Sequence, residues 1–373
     1  MKHKLFLAIF AVLVAALSLL TLLLPKKEFS PTENRMLAPF HAPDGKTLAD
    51  GSFMKDLSEF LSDHFVGRDL WVSLNTAAAL LSGKRENNGV YLAKDGSLID
   101  GFADRDAAMF KNNVRAVTEF EAALREMGVS LTTVVAPTAT QLYPEKLPAF
   151  AVTADAEPLF AALKEIPGFV DVREALSAEK DGEIYYHTDH HWTGRGAYLA
   201  YAAVCEARGI TARPYEDYQP QTVTEDFFGT LYSRFGLFAG RKGDAIVTPA
   251  AEALGEMTVT DSKGNARDSV YAPEKLEEKD KYLYFLGGND SVVEIETDSH
   301  TGRRLLLVKD SYANAFLPYL LPDYDAVTVV DPRYYPGSVL KLAAEGGYTE
   351  AMVLYNLKSF ASDQYVQFLP LED

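Results

Sequence analysis

Two short motifs carry side chains that could act together as a nucleophile and its base. Asp189 and His191 lie two residues apart in the aromatic run 185–192, and Ser311 closes the apolar run 305–311. A buried carboxylate can orient an imidazole and stabilise its charged form, and the imidazole can then take the serine proton. These residue types therefore indicate acyl-group chemistry on a serine, as in a hydrolase or an acyltransferase.

The histidine-rich loop leaves alternatives open. We expect His191 to be the base, because Trp192 and a glycine-rich helix start fix its position, and His190 is the alternative. His187, Asp189 and the two other histidines are also plausible zinc or iron ligands. They are crowded on one loop, however, and neither an HEXXH motif nor a cysteine pair accompanies them. We therefore expect neither a metal nor a bound cofactor.

The elements around these motifs follow an alternating pattern. Helices are expected at about 104–127, from near 194, at 312–320 and at 337–345, and a hairpin at 90–99. Apolar strands are expected at 131–137, 169–172, 304–309, 326–331 and 351–356. Uniformly apolar strands that alternate with helices indicate an α/β fold with a mostly parallel sheet covered on both faces.

In such sheets, ligands bind beyond the carboxyl ends of the strands. Pro137, Ser311, Asp331 and Asn356 each lie at or just past a predicted strand end, and the Asp189 loop follows another strand. Ser311 also precedes a predicted helix, so the alternative to a catalytic role is that it merely serves as the N-cap of that helix. Because several polar groups converge on one edge, we expect a site there.

Four further residues are candidates for binding. Asn356 could donate its amide to an oxyanion or simply occupy a turn. Tyr312 and Trp192 could stack on a sugar face, although aromatic rings more often pack in a core. Arg333 could bind a substrate anion or pair with the nearby Asp331.

The N-terminus favours placement at a membrane. Residues 5–24 form an uncharged apolar run, and about 20 such residues cross a bilayer. We expect 1–27 to be a signal anchor, with a cleaved signal peptide as the alternative. The proline-rich segment 28–50 is expected to be an extended linker. Residues 51–373 are expected to form one exported catalytic domain with an irregular or β-rich insertion at about 210–300.

Charge and cysteine content exclude other classes. The 36 basic and 53 acidic residues give a net charge of −17, which argues against nucleic acid or anionic lipid as a binding partner. The single cysteine, Cys205, excludes an intramolecular disulfide framework and is expected to be a buried structural thiol.

At these residues the chain resembles the DHHW family of bacterial exported proteins, through DHHW at 189–192 and KDSYAN at 309–314. It is also similar to the SGNH hydrolase-like domain of the alginate O-acetyltransferases. This resemblance implies a three-layer α/β/α fold whose sequence blocks are circularly permuted, since the Asp-His block precedes the serine strand.

The resemblance also implies roles. Ser311 would be the nucleophile, His191 the base, Asp189 the orienting acid and Asn356 an oxyanion donor. The implied activity is O-acyl transfer, most simply of acetyl, to a cell-surface polysaccharide by a membrane-anchored extracytoplasmic domain. The acyl donor would come from a small molecule or from a membrane-bound O-acyltransferase partner. The alternatives are a carbohydrate acetylesterase with the same triad and a noncatalytic glycan-binding or assembly subunit.

Overall fold

The computed structural model describes residues 2–102 and 107–372. The chain divides into two units. The first unit comprises the residues up to Asn88 together with Tyr232–Arg241, and the second comprises Gly89–Leu231 and Lys242–Asp373. The first few residues of the helix expected at about 104–127 lie outside the described residues.

The first unit is mainly helical. Its elements before residue 89 are α1 Lys2–Leu23, β1 Phe29–Ser30, β2 Arg35–Met36, α2 Gly45–Asp50, α3 Ser52–Asp63, α4 Arg68–Leu81 and β3 Glu86–Asn87. Among the helices that the structure describes, only α1 is long and apolar enough to cross a membrane, over His3–Leu23.

The segment 28–50, which we expected to be an extended linker, is partly folded. Strands β1 and β2 pair as a short antiparallel hairpin, and α2 begins with a capping box at Asp44. The hairpin is tied to the helices by ion pairs: Glu33 contacts Arg68 at 2.7 Å, and Arg35 contacts Asp63 at 2.9 Å. These charge-assisted contacts hold together a segment whose composition alone predicts an extended linker.

The second unit contains the remaining strands and helices. Its strands are β4 Val90–Leu92, β5 Leu98–Asp100, β6 Ser130–Ala136, β7 Phe169–Val170, β8 Gln221–Phe227, β9 Asp244–Thr248, β10 Met257–Thr260, β11 Ala266–Arg267, β12 Val292–Thr297, β13 Arg304–Lys309, β14 Ala326–Val330 and β15 Glu350–Asn356. Its helices are α5 Ala107–Glu126, α6 Ala139–Leu142, α7 Glu157–Leu163, α8 Arg173–Ala178, α9 Gly194–Ala207, α11 Ala313–Leu320, α12 Val339–Glu345 and α13 Leu357–Phe360; helix α10, Thr230–Phe235, includes the boundary at Leu231.

One eight-stranded sheet, in the order β11-β10-β12-β14-β13-β15-β6-β7, forms the centre of the second unit. The strands from β14 to β7 are parallel, whereas β12, β10 and β11 extend the sheet antiparallel. The region 210–300, expected to be an insertion, is β-rich, and three of its strands complete this sheet. The sequence does not reveal this because these strands are short and irregularly spaced.

Both faces of the sheet are covered, as the sequence predicts. Helices α9 and α11 pack on one face, where Leu305 and Leu307 of β13 point. Helices α5, α7 and α12 pack on the other, against Leu306 and Val308. The predicted α/β class with a mostly parallel sheet is confirmed. Because β14, β13, β15 and β6 are parallel neighbours, their carboxyl ends form one edge, and Ser311 lies just beyond its middle.

Candidate active site

Ser311, His191 and Asp189 form a continuous hydrogen-bonded row at this edge. The Ser311 Oγ lies 2.8 Å from His191 Nε2, and His191 Nδ1 lies 2.5 Å from Asp189 Oδ1. Asp189 and His191 are buried, whereas Ser311 remains partly exposed. A serine that is reachable from outside and backed by a buried acid–base pair has the geometry of an activated nucleophile.

The structure distinguishes the two neighbouring histidines. His190 turns its Nδ1 to Thr230 Oγ1 at 2.8 Å, and only His191 contacts Ser311. Asp189, His190 and His191 are close enough together to ligate a metal ion. In this arrangement, however, the two nitrogens of His191 and both carboxylate oxygens of Asp189 are already engaged with one another, with Thr230 and with Ser311. The arrangement therefore fits proton transfer better than metal ligation.

Asp189 is held by a second pair of hydrogen bonds that the sequence did not reveal. The backbone N–H of Thr230 donates to Asp189 Oδ2 at 2.7 Å, and the Thr230 hydroxyl lies 3.0 Å from the same oxygen. A Cβ at the preceding Gly229 would lie 2.2 Å from that oxygen, so only glycine permits this close approach. Gly229-Thr230 therefore fixes the carboxylate against the imidazole.

The electrostatics of the loop keep Asp189 ionised. Burial alone would raise the pKa of this carboxyl, but the charges of His190 and His191 and the hydrogen bonds from His191 and Thr230 lower it well below its ordinary value. An ionised acid at this place can orient the imidazole through Nδ1 and stabilise the imidazolium that forms when His191 takes a proton.

The ring of Tyr282 stacks on the imidazole of His191. The two rings are nearly parallel, at 10°, with their centroids 3.8 Å apart, and the Tyr282 hydroxyl donates to the carbonyl oxygen of Ser311 at 3.1 Å. Tyr282 comes from the irregular region 210–300, where no periodicity identified it. It contacts both the base and the residue that carries the nucleophile, so it positions one against the other.

Replacing Tyr282 should separate the contribution of the ring from that of the hydroxyl. We expect Tyr282→Leu to lower the turnover of a chromogenic acetyl ester about 10- to 100-fold, because a misplaced base loses alignment with Ser311. Tyr282→Phe keeps the stacked ring and should retain most of the activity. If both variants were equally impaired, the hydroxyl rather than the ring would be the important contact.

Asp310 fixes the turn that presents the nucleophile. Its Oδ1 accepts the backbone N–H of Tyr312 at 2.8 Å, and its Oδ2 accepts the backbone N–H of Asn356 at 2.9 Å. Burial raises the pKa of this carboxyl. Asp310 thereby joins the end of β13 to the end of β15.

Asn356 lies at the predicted edge, but its amide does not point at Ser311. The Nδ2 group donates to Asp310 at 2.6 Å and to Ser359 Oγ at 2.8 Å, and the Oδ1 atom caps α13. The oxyanion-donor role expected for Asn356 therefore has no supporting geometry, because its two amide protons are already used. The backbone N–H of Ser311, by contrast, donates to no acceptor among the described residues.

The other three binding candidates take structural roles. Trp192 and Tyr312 are fully buried, and the Trp192 Nε1 donates to the Tyr312 carbonyl at 2.9 Å, so neither ring can stack on a sugar in this conformation. The Tyr312 hydroxyl donates to the carbonyl of His190. Arg333 forms two hydrogen bonds with Asp331, at 2.8 and 2.6 Å, which favours the ion-pair interpretation over substrate binding.

Lys309, two residues before the serine, is a buried cation. Its Nζ donates to Asn289 Oδ1 at 2.8 Å and lies 3.8 Å from Asp331 Oδ2. Burial lowers the pKa of this amine to about 8, against the opposing effect of Asp331. Asn289, which follows Gly287 and Gly288 in an irregular segment, thus supplies a partner for a buried charge.

This buried amine predicts a pH dependence of stability. The folded pKa of about 8 lies below the ordinary value of 10.5, so the unfolded chain binds more protons between those two pH values. We therefore expect the free energy of unfolding of the wild type, relative to Lys309→Met, to rise with pH across that window. Chemical denaturation of both proteins at several pH values measures this difference in the free energy of unfolding. A difference that stayed constant would contradict burial of an ionisable amine.

Comparisons with known proteins agree with this fold and with part of the site. A family model described as the SGNH hydrolase-like domain of the acetyltransferase AlgX matches residues 100–275. A comparison with curated proteins found no significant match. The range 100–275 that matches the AlgX family model includes Asp189, His191 and Thr230, while Ser311 lies beyond it. The resemblance to this domain is confirmed over that range.

Two solved structures show the same fold. A DHHW family protein from Eubacterium siraeum is 24% identical and has a TM-score of 0.64; the alignment covers 76% of this chain and 95% of that one. Bacillus cereus PatB1, solved with a sulfonyl adduct, is 20% identical and has a TM-score of 0.62, with coverage of 75% and 97%. The family model thus identifies an SGNH-like domain over residues 100–275, and the DHHW family protein shares the fold over 76% of this chain.

Proposed function

We propose that the chain is a serine O-acetyltransferase that acts on a cell-surface polysaccharide, with α1 as its membrane anchor and its second unit outside the cytoplasm. The observation that carries this proposal is the hydrogen-bonded row from Asp189 through His191 to Ser311. The match to a domain of an acetyltransferase, which includes both Asp189 and His191, supports it.

The first half-reaction loads the serine. The Ser311 hydroxyl donates to His191 Nε2, and the imidazole N–H at Nδ1 donates to Asp189. As Oγ attacks the carbonyl carbon of the acyl donor, its proton passes to Nε2, and the tetrahedral intermediate forms. The bond to the leaving group then breaks, the imidazolium returns the proton to that group, and an acyl-Ser311 ester remains.

The second half-reaction reverses these steps with a sugar hydroxyl. This hydroxyl gives its proton to His191 Nε2 and attacks the acyl carbon, and the Ser311 oxygen leaves and recovers the proton. The oxyanion of both intermediates needs a donor close to Oγ. We propose the backbone N–H of Ser311, which has no acceptor among the described residues, as this donor, because the amide of Asn356 is already engaged.

The proposal assigns no bound cofactor. A small molecule or a membrane-bound O-acyltransferase partner supplies the acyl group, and a partner of that kind fits a chain that carries a membrane helix of its own. Transfer differs from hydrolysis only in the acceptor, so a pocket that binds a sugar and excludes water decides between them.

The test uses the purified full-length chain with a chromogenic acetyl ester as donor and candidate surface glycans as acceptors. Mass spectrometry of the glycans is expected to show added acetyl groups that depend on the enzyme. Release of acetate to water in the presence of every glycan would favour the acetylesterase alternative. A wild-type chain that neither turned over the ester nor reacted with a sulfonyl fluoride would overturn the catalytic proposal and favour a noncatalytic subunit.

A further inference from the structure

Helix α4 of the first unit carries an apolar stripe on its outer face. The stripe consists of Leu70, Trp71, Leu74, Ala78 and Leu81. At helical spacing these positions fall within about 100° of one another. All five side chains are exposed, and Leu81 is 90% exposed. Soluble monomers rarely leave such a continuous apolar patch in water.

The stripe cannot turn inward, because the opposite face of α4 is occupied. Thr76 is buried, and its hydroxyl accepts a hydrogen bond from Asn87 at 3.2 Å. The backbone N–H of Phe238 donates to Ser73 Oγ at 3.3 Å. Val72 lies so close to Gly236 that a Cβ there would be 3.0 Å from its methyl group. Contacts within the first unit therefore fix the orientation of the stripe.

The stripe begins beside the last turn of the apolar helix α1. The backbone N–H of Val66, just before α4, donates to Thr21 Oγ1 at 3.2 Å, and Thr21 is the buried residue of that turn. Leu24, which follows α1, and Leu70, which starts the stripe, line the same cavity of about 240 Å³. The stripe is thus continuous with the end of the helix that we assign to the membrane.

Trp71 has the orientation of an interfacial tryptophan. Its Nε1 donates to the carbonyl of Val66 at 3.1 Å, so the polar edge is satisfied inside the protein while the ring remains 45% exposed. Tryptophan is enriched where an apolar ring meets lipid and a polar edge meets a wet or polar surface.

We propose that the α4 stripe is a second, peripheral membrane contact. It lies at the headgroup–acyl boundary of the lipid leaflet that contains the C-terminal end of α1. The stripe carries no charge, so apolar burial alone drives this contact and neutral lipid is sufficient. The inference rests on the membrane placement proposed for α1 and is independent of the acyl chemistry.

The two tryptophans of the chain allow a direct test. The full-length protein is reconstituted into phosphatidylcholine vesicles whose acyl chains do or do not carry bromine, a fluorescence quencher. We expect the bromolipid to remove a large part of the Trp71 emission. In Trp71→Phe only the fully buried Trp192 remains, and its emission should be the same in both lipids.

Two variants complete the experiment. Leu74→Glu combined with Leu81→Glu should abolish the quenching of Trp71, whereas Met54→Glu, at a position 64% exposed on α3 outside the stripe, should retain it. Circular dichroism and thermal unfolding verify that each variant is folded. Vesicle-bound protein without Trp71 quenching, or quenching that survives the double substitution, would overturn the inference and leave the α1 assignment intact. A chain that does not float with the vesicles would overturn both.

Discussion

Ser311→Ala is expected to reduce turnover of an acetyl ester by about 10⁴- to 10⁶-fold, because among the described residues Ser311 is the one whose hydroxyl contacts His191 Nε2. The same substitution should abolish covalent labelling by a sulfonyl fluoride, which needs an activated nucleophile. The chromogenic ester assay measures turnover, and intact-protein mass spectrometry measures covalent labelling. The fold should persist, since removing one partly exposed hydroxyl leaves the buried core unchanged.

A serine in the short helix α13, which follows β15, provides a matched control. Ser359 lies in the turn capped by Asn356 and is partly buried like Ser311, but it contacts Asn356 rather than a histidine. Ser359→Ala should keep both turnover and labelling. If Ser311→Ala remained active while a chelator abolished the activity, the chemistry would belong to a metal bound near Asp189 and not to the serine.

Asp189→Asn is expected to lower turnover by about 10⁴-fold, because the imidazole would be held in the wrong tautomer. In this site both carboxylate oxygens act only as acceptors. Oδ1 receives the backbone N–H and Nδ1 of His191, and Oδ2 receives two donors from Thr230. An asparagine must place its NH₂ group against one of these pairs. Facing His191, it would donate to Nδ1 and put the proton on Nε2, where the Ser311 proton has to go.

Asp244→Asn serves as the control for loss of a buried charge that supports the same loop from strand β9. Asp244 is 7% exposed and accepts hydrogen bonds from the backbone of His187 and Thr188, but neither of those residues contacts Ser311. This variant should lose stability in thermal unfolding yet retain most of its turnover per folded molecule. Equal loss of turnover in both variants would indicate that Asp189 supports the fold of the loop more than the chemistry.

Ser311, His191 and Asp189 could be predicted from the sequence because each occupies a position that sequence patterns identify. Ser311 follows an apolar strand, and Asp189 and His191 share one short loop beside aromatic residues. Parallel strands bring their carboxyl ends to one edge regardless of side-chain detail. Strand order and residue spacing are therefore enough to predict that these side chains lie at one edge of the sheet.

Gly229, Thr230 and Tyr282 could not be found in this way. They lie in the region 210–300, which has neither helical nor strand periodicity, and their partners are remote in the chain: Thr230 meets Asp189 across 41 residues. The contact of Tyr282 depends on how a short 3₁₀ helix, Lys281–Tyr284, is placed over the imidazole. Only tertiary packing determines such positions.

For Asn356, the sequence predicts the position at the end of a strand but not the contacts of the side chain. The backbone position at the end of β15 follows from strand spacing. The direction of its amide follows from the buried Asp310, which accepts both the backbone N–H and the Nδ2 group. Burial likewise decided between stacking on ligand and packing in the core for Trp192 and Tyr312.

The sheet order also determines when the catalytic groups can meet during biosynthesis. His191 and Ser311 are 120 residues apart, and the serine strand β13 is joined to β6 only through β15, which is made later than either. A nascent chain that has just released residue 311 therefore holds Asp189, His191 and Ser311 but still lacks the strand that lies between β13 and β6 in the sheet. We therefore expect the proposed acyl-transfer activity to appear only after β15 has paired, so that a product of interrupted translation would lack it.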